Sequence, residues 1–375
     1  MKAVLMIEET LVHYRVPFFE RLHEELQRRQ IALRVAYSDP WVANGDHSHV
    51  AGLPKEYGLK VRAYRGPGGK VTFQPLAGEA LRSDLVVVSQ ENRFVLNHLL
   101  IWASQLGMQR VAFCGHGRCL HGNRFSELYK RRTLNWVDWW FSYTKGTTEY
   151  LTANGVPLEK ITTIFNAVDT KGFRRELDAI SESEIEELRQ KLGLSHSSRI
   201  AIFCGTLYEK KGVSFLIDAG KRIRAQMPEF HLILIGGGNP NNGAAMDLAE
   251  NSQWLHYAGP CFGRDKARFL KLADVFLLPG AVGLAILDAF AASLPLITTK
   301  NLYHGPEIEY LEHEKNGLIT AASVPEYAAA VQNLLQDGVR MASMRRAAGE
   351  SGEQYSIERM VDNFCEGIER CLAVT

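Results

Sequence analysis

Cysteine is scarce in this sequence of 375 residues: there are six, and no two of them have CxxC spacing. Several lie inside apolar runs, which is typical of small core residues in a reducing compartment rather than of a disulfide framework. The beginning of the chain also lacks the long apolar region and the small-residue cleavage site of a signal peptide. We therefore expect a cytoplasmic protein.

The chain also lacks an excess of charge of either sign. The chain has 43 lysines and arginines against 42 acidic residues, a formal net charge of +1, so we expect no nucleic acid partner. Divided near residue 170, the first part carries 21 basic and 16 acidic residues, and the rest carries 22 and 26. The positive first part suits an anionic acceptor or an anionic membrane surface, and scattered solvated charge explains it equally well.

Several motifs of nucleotide and metal chemistry are absent. There is no GxxxxGK[ST] loop, which excludes a P-loop enzyme, and the glycine-rich turn at 236–241 fails the GxGxxG spacing of dinucleotide enzymes. No two aspartates stand two apart, so the DxD arrangement that holds a cation on a diphosphate is missing. Asp46, His47 and His49 resemble a metal cluster by composition only. We expect neither a metal nor a cofactor.

What the sequence does contain is short β-branched runs that alternate with amphipathic stretches, a pattern that predicts parallel α/β layers. The pattern restarts after the acidic segment 178–198. The most membrane-like stretch, 275–299, is interrupted by Asp288 and by prolines and glycines, so it predicts a strand, loop, helix and strand. We expect two Rossmann-like domains, residues 1–168 and 169–355, and an amphipathic helix within 356–375.

A first candidate site follows the first strand of the second domain. In GTLYEKKG the strand ends at Gly205, and a loop carries Lys210 and Lys211 toward a helix. A cation just beyond the carboxyl end of a parallel strand is where an anionic ligand binds in open α/β sheets. Without a metal, a leaving diphosphate needs such a lysine to neutralise its developing charge. Two solvated lysines in a surface turn are the alternative.

A second candidate site lies in LLPGAVGLAILDAF. Gly280 and Gly283 separate a buried strand from a helix that begins near Leu284, so backbone N–H groups at the helix start can face a phosphate. Asp288 falls one turn into that helix, on an otherwise apolar face. A carboxylate there needs partners, which the two vicinal hydroxyls of a ribose would supply; nearby backbone or an arginine is the alternative.

These segments and three others carry a resemblance that covers essentially the whole chain. FNAVDTKGF is similar to N-G-V-D-x-x-x-F, GTLYEKKG to G-R-L-x-x-x-K-G, and LILIGGG to the strand and glycine turn that follow it. PGAVGLAILDAFAASLPLITT resembles P-x-x-E-G-x-G-x-x-x-x-E-A-x-A-x-G-x-P-V, and HGPEIEYLEHEKNGLI resembles G-x-P-E-I-x-x-x-x-x-x-G-L-x. With five motifs in order, the chain resembles the family 4 glycosyltransferases of the GT-B type. The resemblance implies two Rossmann-like domains facing a cleft, with the C-terminal helix crossing back to the N-terminal domain.

The resemblance also implies a reaction: transfer of a sugar from a nucleotide diphosphate sugar to a saccharide or lipid-linked saccharide, with retention of configuration and without a metal. By position, Lys211 would bind the donor diphosphate, amides around Gly283 would assist it, and Asp288 would hold the ribose. His116, in FCGHGRC after a strand, matches the family histidine that lines the donor sugar; a structural residue in a turn is its alternative.

The sequence departs from the family at two positions. Gly280 stands where the family has the first of two acids eight residues apart, the one that contacts the donor sugar, and Thr206 replaces the arginine beside the phosphate. Lys210 or Lys211 would then supply the charge. Glu307 is either a substitute contact or a capping and packing residue. A nucleotide-sugar epimerase and a catalytically inactive binding subunit stay open as alternatives.

The N-terminal domain offers residues for the acceptor. Tyr14 and Arg15, in the loop after the first strand, would face the cleft in this architecture, unless they only lead into the helix before Pro17. Arg118, two residues after His116, is a third candidate.

A basic and aromatic stretch in the same domain bears on membrane contact. YKRRTLNWVDWWF joins the basic run 130–132 to Trp136, Trp139 and Trp140, as at a membrane interface. It favours a peripheral contact at the inner face of the cell membrane, and aromatic core packing explains the tryptophans equally well.

Overall fold

The computed structural model describes residues 1–39, 51–69, 71–118, 124–238 and 252–374. The chain divides into two compact units, each with its own parallel sheet, which confirms the expected pair of Rossmann-like α/β domains. Unit 1 contains Met1–Asp169 and Ile357–Thr375, and unit 2 contains Thr170–Ser356.

Unit 1 is built on nine described strands. These are β1 Lys2–Thr10, β2 Ile31–Ser38, β3 Gly58–Lys60, β4 Tyr64–Arg65, β5 Thr72–Phe73, β6 Leu85–Ser89, β7 Val111–Gly115, β8 Trp139–Ser142 and β9 Ile161–Thr163. Seven of them form one parallel sheet in the order β3-β2-β1-β6-β7-β8-β9, and β4 pairs with β5 as an antiparallel ribbon. The helices are α1 Val16–Arg28, α2 Ala77–Leu81, α3 Val95–Gln105, α4 Arg124–Thr133, α5 Lys145–Ala153 and, much later in the chain, α13 Ile357–Ala373.

The central strands of unit 1 are continuous apolar runs. The first four residues of β6 and of β7, and all four of β8, are buried, as expected of parallel strands that are covered on both faces. The helix α1 has Pro17 in its first turn, where a missing N–H costs nothing. It buries one apolar stripe, made of Phe18, Phe19, Leu22 and Leu26.

Unit 2 has a second doubly wound sheet. Its strands are β10 Arg199–Cys204, β11 Phe230–Ile235, β12 Leu255–Gly259, β13 Val275–Leu277, β14 Leu296–Thr299 and β15 Gly317–Thr320, in the order β12-β11-β10-β13-β14-β15. The described helices are α6 Thr170–Asp178, α7 Glu182–Lys191, α8 Val213–Gln226, α9 Gly263–Leu272, α10 Ala285–Ala291, α11 Val324–Gln336 and α12 Gly338–Gln354.

The strand order of unit 2 reverses between β10 and β13. After β10 the chain builds the sheet outward on one side through β11 and β12, and it then returns to add β13 on the other side of β10. The two strands pair in parallel, Ala201 with Val275 and Ile202 with Phe276, so their carboxyl ends release two loops next to each other. Such a reversal is where ligands bind in open α/β sheets.

The stretch 275–299 forms β13, a loop, α10 and β14, as its interruptions predict. Across the described ranges, no helix has the length and apolar character needed to span a membrane.

The membrane interpretation of Trp139 and Trp140 is wrong. Both lie in β8 and are at most 2% exposed. The Trp139 indole N–H donates to Thr162 Oγ1 at 3.0 Å, and that of Trp140 donates to the Leu134 carbonyl at 2.8 Å. Lys130 of the basic run is also buried. The tryptophans belong to the core because a strand buried on both faces has no side that reaches solvent.

The helix α13 packs on the sheet of unit 1. Its Phe364 ring lies 4.4 Å from the Phe141 ring of β8 and 5.2 Å from the Phe18 ring of α1. Gly367 permits this approach, since a Cβ there would lie 2.5 Å from the Phe141 ring and 2.7 Å from Thr162 Oγ1.

We expect Gly367→Ala to lower the free energy of unfolding of unit 1. Overpacking costs about 1–3 kcal/mol, more than the gain of up to about 1 kcal/mol in helix propensity. Urea unfolding followed by tryptophan fluorescence measures unit 1, because five of the six tryptophans lie before residue 170. Gly338→Ala in α12, where a Cβ meets nothing within 4 Å, is the control. Equal stability of both variants and the wild type would contradict this packing.

Candidate functional site

The two segments predicted to bind phosphate lie side by side in unit 2. The first, the lysine loop, is residues 205–212 after β10, and the second, the glycine loop, is residues 279–283 after β13. Backbone hydrogen bonds join them: Gly280 N–H donates to the Lys211 carbonyl at 3.2 Å, and Ala281 N–H donates to the Lys210 carbonyl at 2.8 Å. The structure therefore brings together the two segments that sequence reasoning had treated separately.

The lysine loop ends in a short 3-10 turn, Glu209–Lys211, that leads into α8. Gly212 makes the transition with φ of +71°, in the left-handed region that favours glycine. The result is that Lys210 and Lys211 lie at the carboxyl edge of the sheet but point differently. Lys210 is exposed, with its ammonium 5.5 Å from the Tyr303 ring, whereas Lys211 is half-buried.

Lys211 is tied to the glycine loop. Its ammonium donates to the Ala281 carbonyl at 2.6 Å and lies 5.9 Å from the Tyr208 ring. Burial lowers the pKa of Lys211, and the nearby Cys204 and Glu307 partly oppose that shift. An ammonium has three donors, so a group anchored in this way can still donate to an anion.

Gly280 leaves no room for the family acid. A Cβ at this position would collide with the Lys210 carbonyl oxygen and would lie 2.6 Å from Lys211 Cα. Both are backbone atoms, so relief would require the lysine turn to move. The close contact between the two loops therefore requires glycine at position 280.

Gly283 is different, because a Cβ there meets nothing within 4 Å. Gly283 and Leu284 are half-buried and immediately precede α10, as predicted. Thr206, at the position of the family arginine, is exposed. Glu307 is 5% exposed, in the 3-10 turn Pro306–Tyr310.

Asp288 has a partner that the sequence did not reveal. Lys266 of α9 donates to Asp288 Oδ1 at 2.9 Å, and the two side chains are 19% and 21% exposed. Burial lowers the pKa of Lys266, but Asp288, Cys204 and Glu176 together raise it more, with Asp288 the largest of the three. Lys266 also lies 4.5 Å from the Phe173 ring. Binding of a ribose by Asp288 stays a prediction. Its carboxylate would have to bind the ribose while it also accepts from Lys266.

In unit 1, His116 follows β7, at the carboxyl edge of that sheet. Its Nδ1 is buried and has no hydrogen-bond partner among the described residues. Burial lowers the pKa of His116, the positive charge of Lys130 adds to this, and Glu91 opposes it. The ring is therefore neutral at pH 7. Arg118 is exposed and stacks over Tyr150 at 4.4 Å.

Tyr14 and Arg15 occupy very different surroundings. Tyr14 is 42% exposed. Arg15 is almost covered; it lies 3.3 Å from Glu8 and 3.5 Å from Asn166 Oδ1, and its guanidinium is 5.1 Å from the Phe18 ring. Burial lowers the pKa of Arg15, but Glu8 together with Tyr143, Cys114 and Tyr14 raises it more, so the guanidinium stays charged. An acceptor role for Arg15 would compete with these contacts.

In the described part of the chain, no three His, Cys, Asp or Glu side chains gather as they would to hold a metal ion. Asp46, His47 and His49 lie outside the described residues.

Comparison with known proteins finds a family model that matches part of unit 2 and solved structures with a similar fold. Residues 198–337 match the model described as Glycosyl transferases group 1. The chain is 24% identical over 229 residues to spore coat protein SA of Bacillus subtilis, covering 56% of this chain and 59% of that protein. It is 25% identical over 164 residues to alpha-monoglucosyldiacylglycerol synthase of Acholeplasma laidlawii, covering 42% and 40%. The chain thus spans only about half the length of these curated relatives.

The structural likeness extends over nearly the whole chain. The crystal structure of Anabaena Alr3699/HepE in complex with UDP matches with a TM-score of 0.70 and 16% identity, over 98% of this chain and 100% of that one. At this identity the likeness shows the fold alone.

We expect Gly280→Ala to destabilise unit 2 by about 3 kcal/mol, because its Cβ would collide with backbone that cannot move without breaking the bonds between the two loops. Gly283→Ala is the matched control and should change the free energy of unfolding by less than about 0.5 kcal/mol. Urea unfolding followed by circular dichroism measures both. A stable Gly280→Ala protein would show that the loops can separate without loss.

Proposed function

We propose that this chain is a family 4 glycosyltransferase of the GT-B type, which transfers a sugar from a nucleotide diphosphate sugar to a saccharide or lipid-linked saccharide acceptor. The match of residues 198–337 to the model described as Glycosyl transferases group 1 and the likeness of the fold to Alr3699/HepE support this proposal. We propose further that the anomeric configuration is retained and that no metal takes part. The observation that carries the proposal is Lys211, a half-buried cation anchored where the strand order of unit 2 reverses.

Lys211 suits a diphosphate better than Lys210 does. Its ammonium is already partly desolvated, as its lowered pKa indicates, so its attraction to an anion is screened less than that of an exposed lysine. It is also held by the Ala281 carbonyl, so little side-chain entropy is lost when a ligand binds. We assign Lys210, Thr206 and the backbone around Gly283 to the rim of the same site.

The rest of the donor is assigned by the resemblance. Asp288 would accept hydrogen bonds from the ribose with the oxygen that Lys266 leaves open. Glu307, whose charge is near enough to raise the pKa of Lys211, is placed to influence the diphosphate lysine rather than to bind an anion itself. In unit 1, the neutral His116 is the proposed contact of the donor sugar.

The proposed step needs no protein nucleophile. The bond between the anomeric carbon and the diphosphate oxygen breaks, and its electron pair stays on the diphosphate, where Lys211 neutralises the growing charge. The acceptor hydroxyl oxygen bonds to the anomeric carbon from the face that the diphosphate leaves. Its proton passes to an oxygen of the departing phosphate. Atoms and charge balance without a metal.

Two alternatives are less well supported. A nucleotide-sugar epimerase would turn over donor without an acceptor, and an inactive binding subunit would bind donor without any turnover. The family match favours transfer, since it comes from the segment that contains Lys211 and Asp288.

A membrane-linked acceptor has support from an exposed apolar surface on unit 1. Leu99, Trp102 and Leu106 follow one another at helical spacing along and just beyond α3, and together with Met108 and Leu128 of α4 they are between 56% and 70% exposed. Trp136 lies against Trp102 at 5.2 Å. The exposed Arg131 and Arg132 end α4. Apolar side chains flanked by arginines suit an anionic lipid surface.

We expect a nucleoside diphosphate, tested as UDP, GDP and ADP in EDTA, to bind and raise the melting temperature. Lys211→Ala should weaken the affinity measured by calorimetry by about 10- to 100-fold, the scale of a hydrogen bond to a charged group. Lys210→Ala is the matched control and should change it less than about threefold. Equal losses in both variants, or binding that requires manganese, would contradict the assignment of Lys211.

The exposed apolar surface on unit 1 predicts that the protein binds vesicles that contain phosphatidylglycerol, as measured by co-sedimentation. Binding should be weaker at high salt, because salt screens the attraction between the arginines and the anionic lipid. The triple variant Leu99→Ser, Trp102→Ser and Leu106→Ser should partition about tenfold or more weakly, since three apolar side chains lose their burial in lipid. Leu302→Ser removes a side chain of unit 2 that is 95% exposed and should change nothing. Identical partitioning of the triple variant and of Leu302→Ser would show that Leu99, Trp102 and Leu106 have no role in lipid binding.

A further inference from the structure

The glycine loop is held on its far side by the segment 299–305. Thr299 Oγ1 donates to the Pro279 carbonyl at 2.7 Å, and Gly305 N–H donates to the Val282 carbonyl at 2.7 Å. Between these two bonds stands His304, whose ring joins the glycine loop to the end of β14.

The partners of His304 fix its protonation. Val282 N–H lies 3.1 Å from Nδ1, and because a backbone N–H can only donate, Nδ1 must carry no proton. The proton of the neutral ring is then on Nε2, which donates to the Thr299 carbonyl at 2.8 Å. Asn301 Nδ2 also lies 3.1 Å from Nε2, but it is itself a donor and its protons go to the Pro279 and Thr299 carbonyls. A second proton, on Nδ1, would face the Val282 N–H and break that bond.

His304 and Lys211 hold the same peptide group. The Ala281 carbonyl that accepts from the Lys211 ammonium and the Val282 N–H that donates to His304 belong to one planar unit. Rotation of that peptide would release both side chains at once. The orientation of the Ala281–Val282 peptide therefore couples the imidazole to the lysine ammonium.

We propose that His304 is a positioning residue, whose neutral ring fixes the Ala281–Val282 peptide and thereby holds the Lys211 ammonium in place for the diphosphate. The inference rests on the proposed function for the identity of the ligand, a diphosphate, whereas the bonds of His304 and Lys211 do not depend on it. It makes donor binding sensitive to acid through a residue that does not itself touch the donor.

The surroundings of His304 oppose its protonation. Burial lowers the pKa of the ring, the Thr299 carbonyl raises it, and the ammonium of Lys211 lowers it again. On its own segment, Lys300, Tyr303 and Glu307 are the neighbouring titratable groups. The pKa of His304 is therefore lower in the folded state than in the unfolded state, where it is about 6.5. Such a histidine stabilises the folded state above pH 6.5, and this stabilisation is lost as the pH falls from there through the folded-state pKa.

Two substitutions separate the bonds of His304. His304→Asn places an amide oxygen where Nδ1 stands, so it keeps the acceptor for Val282 and cannot titrate. His304→Gln reaches the Nε2 position instead and leaves Val282 N–H, which is buried, without an acceptor. We expect UDP, GDP or ADP to bind His304→Asn within about threefold of wild type, and His304→Gln about tenfold more weakly, as for an unsatisfied buried donor.

The acid response supplies the second measurement. As the pH falls below 6.5 and His304 becomes protonated, the affinity of the wild type should fall relative to His304→Asn, by about tenfold once protonation is complete; the phosphate of the ligand titrates equally in both. His313→Asn is the control, because His313 accepts from Ile319 N–H at 3.0 Å at an exposed site away from the glycine loop. Its pH profile should match that of the wild type.

The outcomes distinguish this inference from the proposed function. Equal affinities of the Asn and Gln variants, or parallel pH profiles of the wild type and His304→Asn, would overturn the role of His304. If no nucleoside diphosphate binds at any pH, the proposed function fails. Urea unfolding then still tests the geometry, with the wild type expected to lose stability toward acid relative to His304→Asn.

Discussion

The close approach between the Gly280 backbone and the Lys210–Lys211 turn is the constraint on which the candidate site depends. Without a side chain at this position, two loops from adjacent strands of one sheet can exchange backbone hydrogen bonds directly. That contact sets where the Lys211 ammonium lies, and the Ala281 carbonyl then receives it. A larger residue would force the loops apart and remove the anchor of the lysine. The absence of the family acid is thus coupled to the way this chain presents its cation.

Two lysines near this edge of the sheet are held by specific neighbours. Lys211 is held by a carbonyl, and Lys266 is held by Asp288. Removing charges from water is costly unless partners replace the lost hydration, and here the partners come from elements distant in sequence. For the proposed diphosphate, Lys211 would thus be oriented and partly dehydrated before the ligand binds.

The sequence predicted the parts of the structure that depend on local pattern. The two sheets, the turn after Gly205 and the strand, loop, helix and strand of 275–299 follow from periodicity and from glycine and proline positions, and the structure has them. The pairing of Asp288 with Lys266 and the bond between His304 and Val282 could not be predicted, since each joins residues 22 positions apart through tertiary packing. Trp139 and Trp140 were ambiguous for a related reason: an aromatic run next to basic residues does not say which side chains a sheet will cover.

The placement of α13 has a consequence for how the chain is made. Unit 1 is discontinuous, because Ile357–Thr375 completes a body that otherwise ends at Asp169, whereas unit 2 is one uninterrupted segment between them. During synthesis from the amino terminus, all of unit 2 is therefore translated before Phe364 exists to cover Phe18 and Phe141. Unit 2 is thus fully synthesised before unit 1 is complete, and until then α13 does not cover the aromatic side chains of unit 1.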